Sequence, residues 1–245
     1  MSDEQVTIQT RDGACRAHVL TPEAEGAWPA VILYMDALAI RPTVVEMARR
    51  LAANGYVVLV PDLFYRYGPY APFDPKEVFA KGFRAVIGPL MATTGNDKAA
   101  SDTEAFLAYL DTREDVAGTK IGTVGFCMGG GMAITAAGTF PDRIAAAISF
   151  HGGNLATDAE TSPHLLAPKI KAEVYVAGAD NDDSYPPEMA ERLTKAFDAA
   201  GVTYKAEIYP GALHGWMKPD FPVYNEVAAE RGWREMLALF KRTLG

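Results

Sequence analysis

One segment restricts the fold of this 245-residue chain more than any other: Ile121-Gly122-Thr123-Val124-Gly125-Phe126-Cys127-Met128-Gly129-Gly130-Gly131. An apolar run suited to a strand, 121–124, enters a turn of the form small-x-Cys-x-small. A helix-compatible stretch, 128–138, leaves it. A side chain held on so sharp a strand-to-helix turn has strained backbone, so its neighbours must lack bulky Cβ substituents; Gly125 and Gly129 meet that demand. The pattern is that of a nucleophile elbow with cysteine in the usual serine place. It matches neither G-x-G-x-x-G nor G-x-x-x-x-G-K-[ST], so a phosphate-binding loop is not the reading.

The rest of the chain repeats the alternation. Val6–Thr10 and Cys15–Leu20 read as strands joined at Asp12-Gly13, a good hairpin signal. Ala30–Met35 and Val57–Val60 are continuous apolar runs, as in strands buried on both faces. Between them, 42–54 reads as a helix, with Pro42 at its start and Gly55 after its end. Helices are expected over 97–111, 187–200 and 227–244, and strands over 145–150, 173–177 and 204–209. Strands alternating with helices predict an α/β fold with a mostly parallel sheet covered on both faces. No linker or internal repeat divides the chain, so one domain over 1–245 is expected. The aromatic and proline-rich stretch 63–75 cannot be one helix and is expected to be a long loop beside the working face.

Composition removes several function classes. Hydrophobic residues at 49% against 22% charged residues indicate a globular chain. A net charge of −8 with no basic block gives no footprint for nucleic acid. The N-terminus lacks the pattern of a secretory signal, and the longest apolar run is too short to span a bilayer, so a cytoplasmic location without membrane contact is expected. Two cysteines, Cys15 and Cys127, are too few for a disulfide framework. There is no H-E-x-x-H or Cys/His cluster, and neither metal nor cofactor is expected. The expected oligomeric state is a monomer or small homo-oligomer.

The chemistry then turns on Cys127. A helix beginning behind it points its N-terminus at the sulfur, favouring a thiolate and a developing oxyanion. In this arrangement an acid and then a histidine follow the nucleophile in the chain. His214, in the Gly-rich loop after the last strand, is the candidate base, with His151 the alternative; His18 and His164 read as structural or solvated. The acid should end the preceding strand. Asp180 is first past Val174–Ala179 and is the candidate, with Asp182 and Asp183 as close rivals whose ordinary role would be in a loop or cap. Cysteine, histidine and aspartate would meet at the carboxyl ends of the parallel strands.

Gly125-Phe126-Cys127-Met128-Gly129-Gly130, Pro61-Asp62-Leu63-Phe64, Ala177-Gly178-Ala179-Asp180 and Leu213-His214-Gly215 together resemble the dienelactone hydrolase family (carboxymethylenebutenolidase-like α/β-hydrolases), over nearly the whole chain. The resemblance implies an α/β-hydrolase fold, a Cys127–His214–Asp180 triad, and an oxyanion hole from the backbone N–H groups of Met128 and Ala37. It also implies that Asp36, where the family usually has glutamate, holds the thiol before substrate arrives. Lys81 and Lys218 stand where dienelactone members bind the substrate carboxylate with two arginines; Arg41, Arg66 and Arg84 lie near in sequence. Trp216 and the aromatics from Phe64 to Phe73 are candidate pocket walls. The expected activity is hydrolysis of a small-molecule ester or lactone through a cysteine acyl-enzyme. A broad carboxylesterase without lactone preference and a non-catalytic small-molecule binding protein are the alternatives.

Overall fold

A computed structural model of the chain describes residues 2–245. Eight strands form one sheet: β1 (Ser2–Thr10), β2 (Gly13–Thr21), β3 (Ala30–Tyr34), β4 (Val57–Pro61), β5 (Ile121–Phe126), β6 (Ile144–Phe150), β7 (Glu173–Ala179) and β8 (Tyr204–Tyr209). Their order is β1-β2-β4-β3-β5-β6-β7-β8. The hairpin β1–β2 is antiparallel, and β2 meets β4 antiparallel; every pairing from β4 onward is parallel. The fold is that of the α/β-hydrolases, as the sequence predicts.

The central strands β3, β4 and β5 are buried throughout, which is why their sequences read as unbroken apolar runs rather than alternating ones. Alternation survives only as a choice of face. Ala30, Ile32 and Tyr34 join one core layer, beneath α4 (Asn96–Asp111), α5 (Met128–Thr139) and α6 (Pro187–Ala200). Val31 and Leu33 join the other, beneath α1 (Pro42–Ala53) and α7 (Glu226–Leu244). The helices on both faces follow from that two-sided burial. Their ends carry the expected punctuation. Pro42 and Pro187 open α1 and α6, Gly201 closes α6 in the left-handed region, and the Asn225 side chain accepts a hydrogen bond from Ala228 N–H at the start of α7.

Two short helices escape the sequence reading: α2 (Pro75–Lys81) and α3 (Phe83–Met91). Asp74 caps α2 by accepting hydrogen bonds from Lys76 and Glu77 N–H, a signal visible in the sequence. Gly88 and Pro89 inside α3 argue against a helix until one sees its apolar face, Ile87 and Leu90, packed inward. A 3₁₀ turn over Pro163–Lys169 is also additional. The stretch 63–74 is irregular, as expected, but it does not wall the working face. Phe64 is fully buried in the core, and Tyr65 donates to Asp102. Among the described residues no helix is long and apolar enough to cross a membrane.

Candidate active site

Cys127 occupies the single residue between β5 and α5 and takes φ 53°, ψ −116°, a conformation that costs a non-glycine residue about 1–3 kcal/mol. The turn is tight enough that a Cβ on Gly125 would lie 1.8 Å from the Gly129 carbonyl oxygen, and one on Gly129 would lie 2.4 Å from that of Tyr34. The second contact seats the start of α5 against the end of β3. The loop after β3 is thereby brought beside Cys127, and Asp36, Ala37, Cys127, Met128 and His214 line one cavity of about 1150 Å³.

Among the N–H groups at this junction, those of Ala37 and Met128 have no internal acceptor among the described residues. Three neighbouring groups are engaged. Cys127 N–H donates to Phe150 O, Leu38 N–H to the Asp36 carboxylate and Ala39 N–H to Asp36 O. The pair thus has the character of an anion-binding site, with Met128 at a helix N-terminus.

His214 sits in the loop after β8, half-exposed to the cavity. Its Nδ1 is 2.7 Å from Asp182 Oδ2. Asp182 is held in turn by Ser184, whose N–H and Oγ–H both donate to Oδ1. Asp180 is therefore not the partner of the histidine. Asp180 is the first residue past β7, as expected, but its carboxylate accepts the Gly211 N–H instead. Asp180 N–H also donates to Ala212 O, so this residue staples the histidine loop to the strand end. Asn181 then turns left-handed, at φ 51°, and Asp182 follows facing the cavity. Ser184 was legible only as the end of an Asp-x-Ser turn, a local motif whose partner lies far along the chain.

The electrostatics of this pair are strongly coupled. Burial alone would raise the Asp182 carboxyl, but hydrogen bonds from His214 and Ser184 hold it below the usual carboxylate range. Burial opposes charge on His214, yet Asp182 and the neighbouring Cys127 sulfur outweigh it and push the imidazole up to about 10. With Nδ1 taken by Asp182, Nε2 remains for the sulfur. His151, the alternative base, is fully buried and does not line the cavity; its ring lies 5.3 Å from that of His214, and neither of its nitrogens has a hydrogen-bond partner among the described residues. Burial first, then the charges of His214 and Lys218, drive its pKa well down, leaving it a neutral packing ring.

Several other predicted roles are corrected. Asp36 does not hold the thiol. Its buried carboxylate is bound by Arg41, at 2.9 and 3.1 Å, and by Lys218, at 3.3 Å, and these cations outweigh burial to lower its pKa. Arg41 also reaches Asp220, so four charges balance behind the Ala37 turn. Lys218 is fully buried with its ammonium 3.7 Å over the Phe126 ring, and burial pulls its pKa down to about 8 despite Asp36. It cannot reach a substrate. Lys81 is exposed and pairs with Glu77; Arg84 is exposed too, and neither lines the cavity. Arg66 is spent on Asp12 and Asp102. Trp216 is fully buried and stacked on Tyr209, a core side chain rather than a pocket wall. The apolar wall comes instead from α2, α3 and the loop before α7: Phe79 stacks on Phe83 and meets Phe221 edge-on.

Comparison with known proteins agrees with this fold. A relative from Synechocystis sp., described as "Putative carboxymethylenebutenolidase", is 28% identical over 98% of this chain and 96% of its own length. Two solved structures superpose at low identity and so speak for the fold. One, described as a "Putative Dienelactone Hydrolase" from Klebsiella pneumoniae, has TM-score 0.84 at 23% identity, covering 98% of both chains. The other, a dienelactone hydrolase-like promiscuous phosphotriesterase from metagenomic libraries, has TM-score 0.76 at 24% identity, covering 99% of both. The profile of the Dienelactone hydrolase family matches residues 15–244. On a match of that extent, this chain belongs to the dienelactone hydrolase family, among the hydrolases of ester and lactone bonds.

Proposed function

We propose that the protein cleaves small carboxylic esters, lactones included, through an acyl-enzyme on Cys127. The observation that carries this reading is the convergence of the elbow sulfur, the Asp182–His214 pair and the free Ala37 and Met128 N–H groups on one cavity. The Cys127 thiolate adds to the carbonyl carbon, and the oxygen that gains the charge is received by the two N–H groups. The tetrahedral adduct collapses, the C–O bond to the alcohol breaks, and the imidazolium of His214 gives that oxygen its proton. Now neutral, His214 takes a proton from water as the water attacks the thioester. The second adduct expels the thiolate and the acid leaves. Asp182 orients the ring throughout and favours its charged form, the part the third member of a triad plays. Thiolate chemistry suits oxygen and sulfur leaving groups, whereas an amine would demand far stronger proton donation.

The test uses p-nitrophenyl acetate and a panel of lactones. Cys127→Ala is expected to abolish turnover, a loss of about 10³-fold or more. Cys127→Ser should retain a small residue of it, and mass spectrometry of quenched wild-type enzyme should find the acyl group on the Cys127 peptide. Full turnover by Cys127→Ala would refute the mechanism.

A further inference from the structure

We infer that this cavity selects uncharged, apolar esters and disfavours substrates that carry a carboxylate. The inference rests on the ester-hydrolase reading above and concerns which esters it applies to. It starts from the charges around the cavity. The acidic side chains lining it are Asp36, Asp97, Asp182 and Asp183; among the described residues no lysine or arginine lines it. Asp36 is neutralised from behind by Arg41 and Lys218, and Asp182 by His214. Asp97 and Asp183 are exposed, and neither has an ion-pair partner among the described residues. A carboxylate entering the cavity would meet two unbalanced negative charges and no cation to replace its water.

The remainder of the wall points the same way. Phe79, Phe83, Met132 and Phe221 offer apolar surface. The two lysines that the family resemblance puts at carboxylate-binding positions are both unavailable: Lys218 is sealed in the core, and Lys81 is paired with Glu77 in solvent, away from the cavity. Asp97 opens α4 and Asp183 lies in the turn that carries Asp182, so the two acids approach the cavity from separate elements.

A matched pair of substrates tests this: the mono-p-nitrophenyl ester of adipic acid, an anion, and the methyl p-nitrophenyl diester of the same acid, which is neutral and nearly the same size. At low salt, wild-type kcat/KM should be lower for the anion by about tenfold or more, and the gap should narrow about threefold in about 0.5 M sodium chloride. The double variant Asp97→Asn/Asp183→Asn should close part of the gap at low salt by raising only the rate on the anion. Equal or faster turnover of the anion by wild type overturns the inference. An unchanged ratio in the double variant overturns its assignment to these two acids. Failure of the underlying reading looks different: neither ester would be turned over, or Cys127→Ala would hydrolyse both at the wild-type rate.

Discussion

Asp182 and Asp36 line the same cavity as Cys127, and each carboxylate is held by nitrogen side chains, yet their surroundings differ. The Asp182 pair opens to the cavity, with His214 half-exposed and one ring nitrogen uncommitted. Asp36 and its partners Arg41 and Lys218 are sealed, all with side chains no more than 1% exposed. In the proposed mechanism a proton passes through the first pair, because His214 opens onto the cavity. The second pair fixes the turn from which Ala37 presents its N–H, since Asp36 accepts from both the Leu38 N–H and Arg41. In the proposed mechanism two carboxylates of the same chemistry thus serve reaction and geometry respectively.

The largest expected effect breaks the open pair. Asp182→Asn should lower kcat/KM on p-nitrophenyl acetate by about 10³–10⁴-fold, because the amide leaves His214 without its charged partner and can select the wrong tautomer. Asp180→Asn should cost no more than about tenfold, since it loosens one hydrogen bond to the Gly211 N–H. If the Asp180 variant proved the more damaging, the assignment of the acid would be reversed.

The sealed pair should fail in stability first. Asp36→Ala leaves Arg41 and Lys218 buried without their common counter-ion, and urea unfolding should show a loss of about 3–5 kcal/mol. Lys218→Met should cost distinctly less, because Arg41 still neutralises Asp36 and the new side chain fills the same space over Phe126. Equal losses would mean that packing, rather than charge balance, dominates behind the Ala37 turn.

The pair that titrates also predicts a pH dependence of opposite character to that of a carboxylate. His214 is raised in the folded state to about 10, from about 6.5 when unfolded. Its contribution to stability is therefore full below about pH 6.5, declines above it, and is gone once the folded group has lost its proton near pH 10. The difference in unfolding free energy between wild type and Asp182→Asn should narrow over that window. Lys218 contributes equally to both proteins and drops out of the difference. A gap that widened with pH would mean that His214 is neutral in the folded protein.

How much of this was readable in advance depends on the range of each signal. The elbow is mostly local: the strand, Gly125 and Gly129 lie close together in the chain and Gly125 is constrained by the Gly129 carbonyl, whereas the contact that constrains Gly129 comes from Tyr34 of β3. The choice of Asp182 over Asp180 is not local. It depends on the distant Gly211 N–H that takes up the Asp180 carboxylate and on a left-handed Asn181 that redirects the chain. Lys218 was hidden for a different reason. A lysine is ordinarily solvated, and only the fold brings Asp36 and the Phe126 ring to it. The His151 and Trp216 rings were likewise placed by sequence near the site, but tertiary packing turns both into the core.

The smallest expected effect separates the two lysines. Lys218 and Lys81 look equivalent in the sequence, as cations at two carboxylate-binding positions, but Lys81 projects into solvent from the end of α2 and pairs with Glu77 one turn earlier. An exposed pair of this spacing holds little free energy, because solvent already stabilises both charges. Lys81→Ala should therefore change unfolding free energy by no more than about 0.5 kcal/mol. It should also leave kcat/KM unchanged for the neutral ester and for the anion alike. A selective loss on the anionic ester would show that Lys81 swings over the cavity mouth during turnover, and the division between a sealed charge cluster and an acid-lined cavity would then have to include a mobile cation.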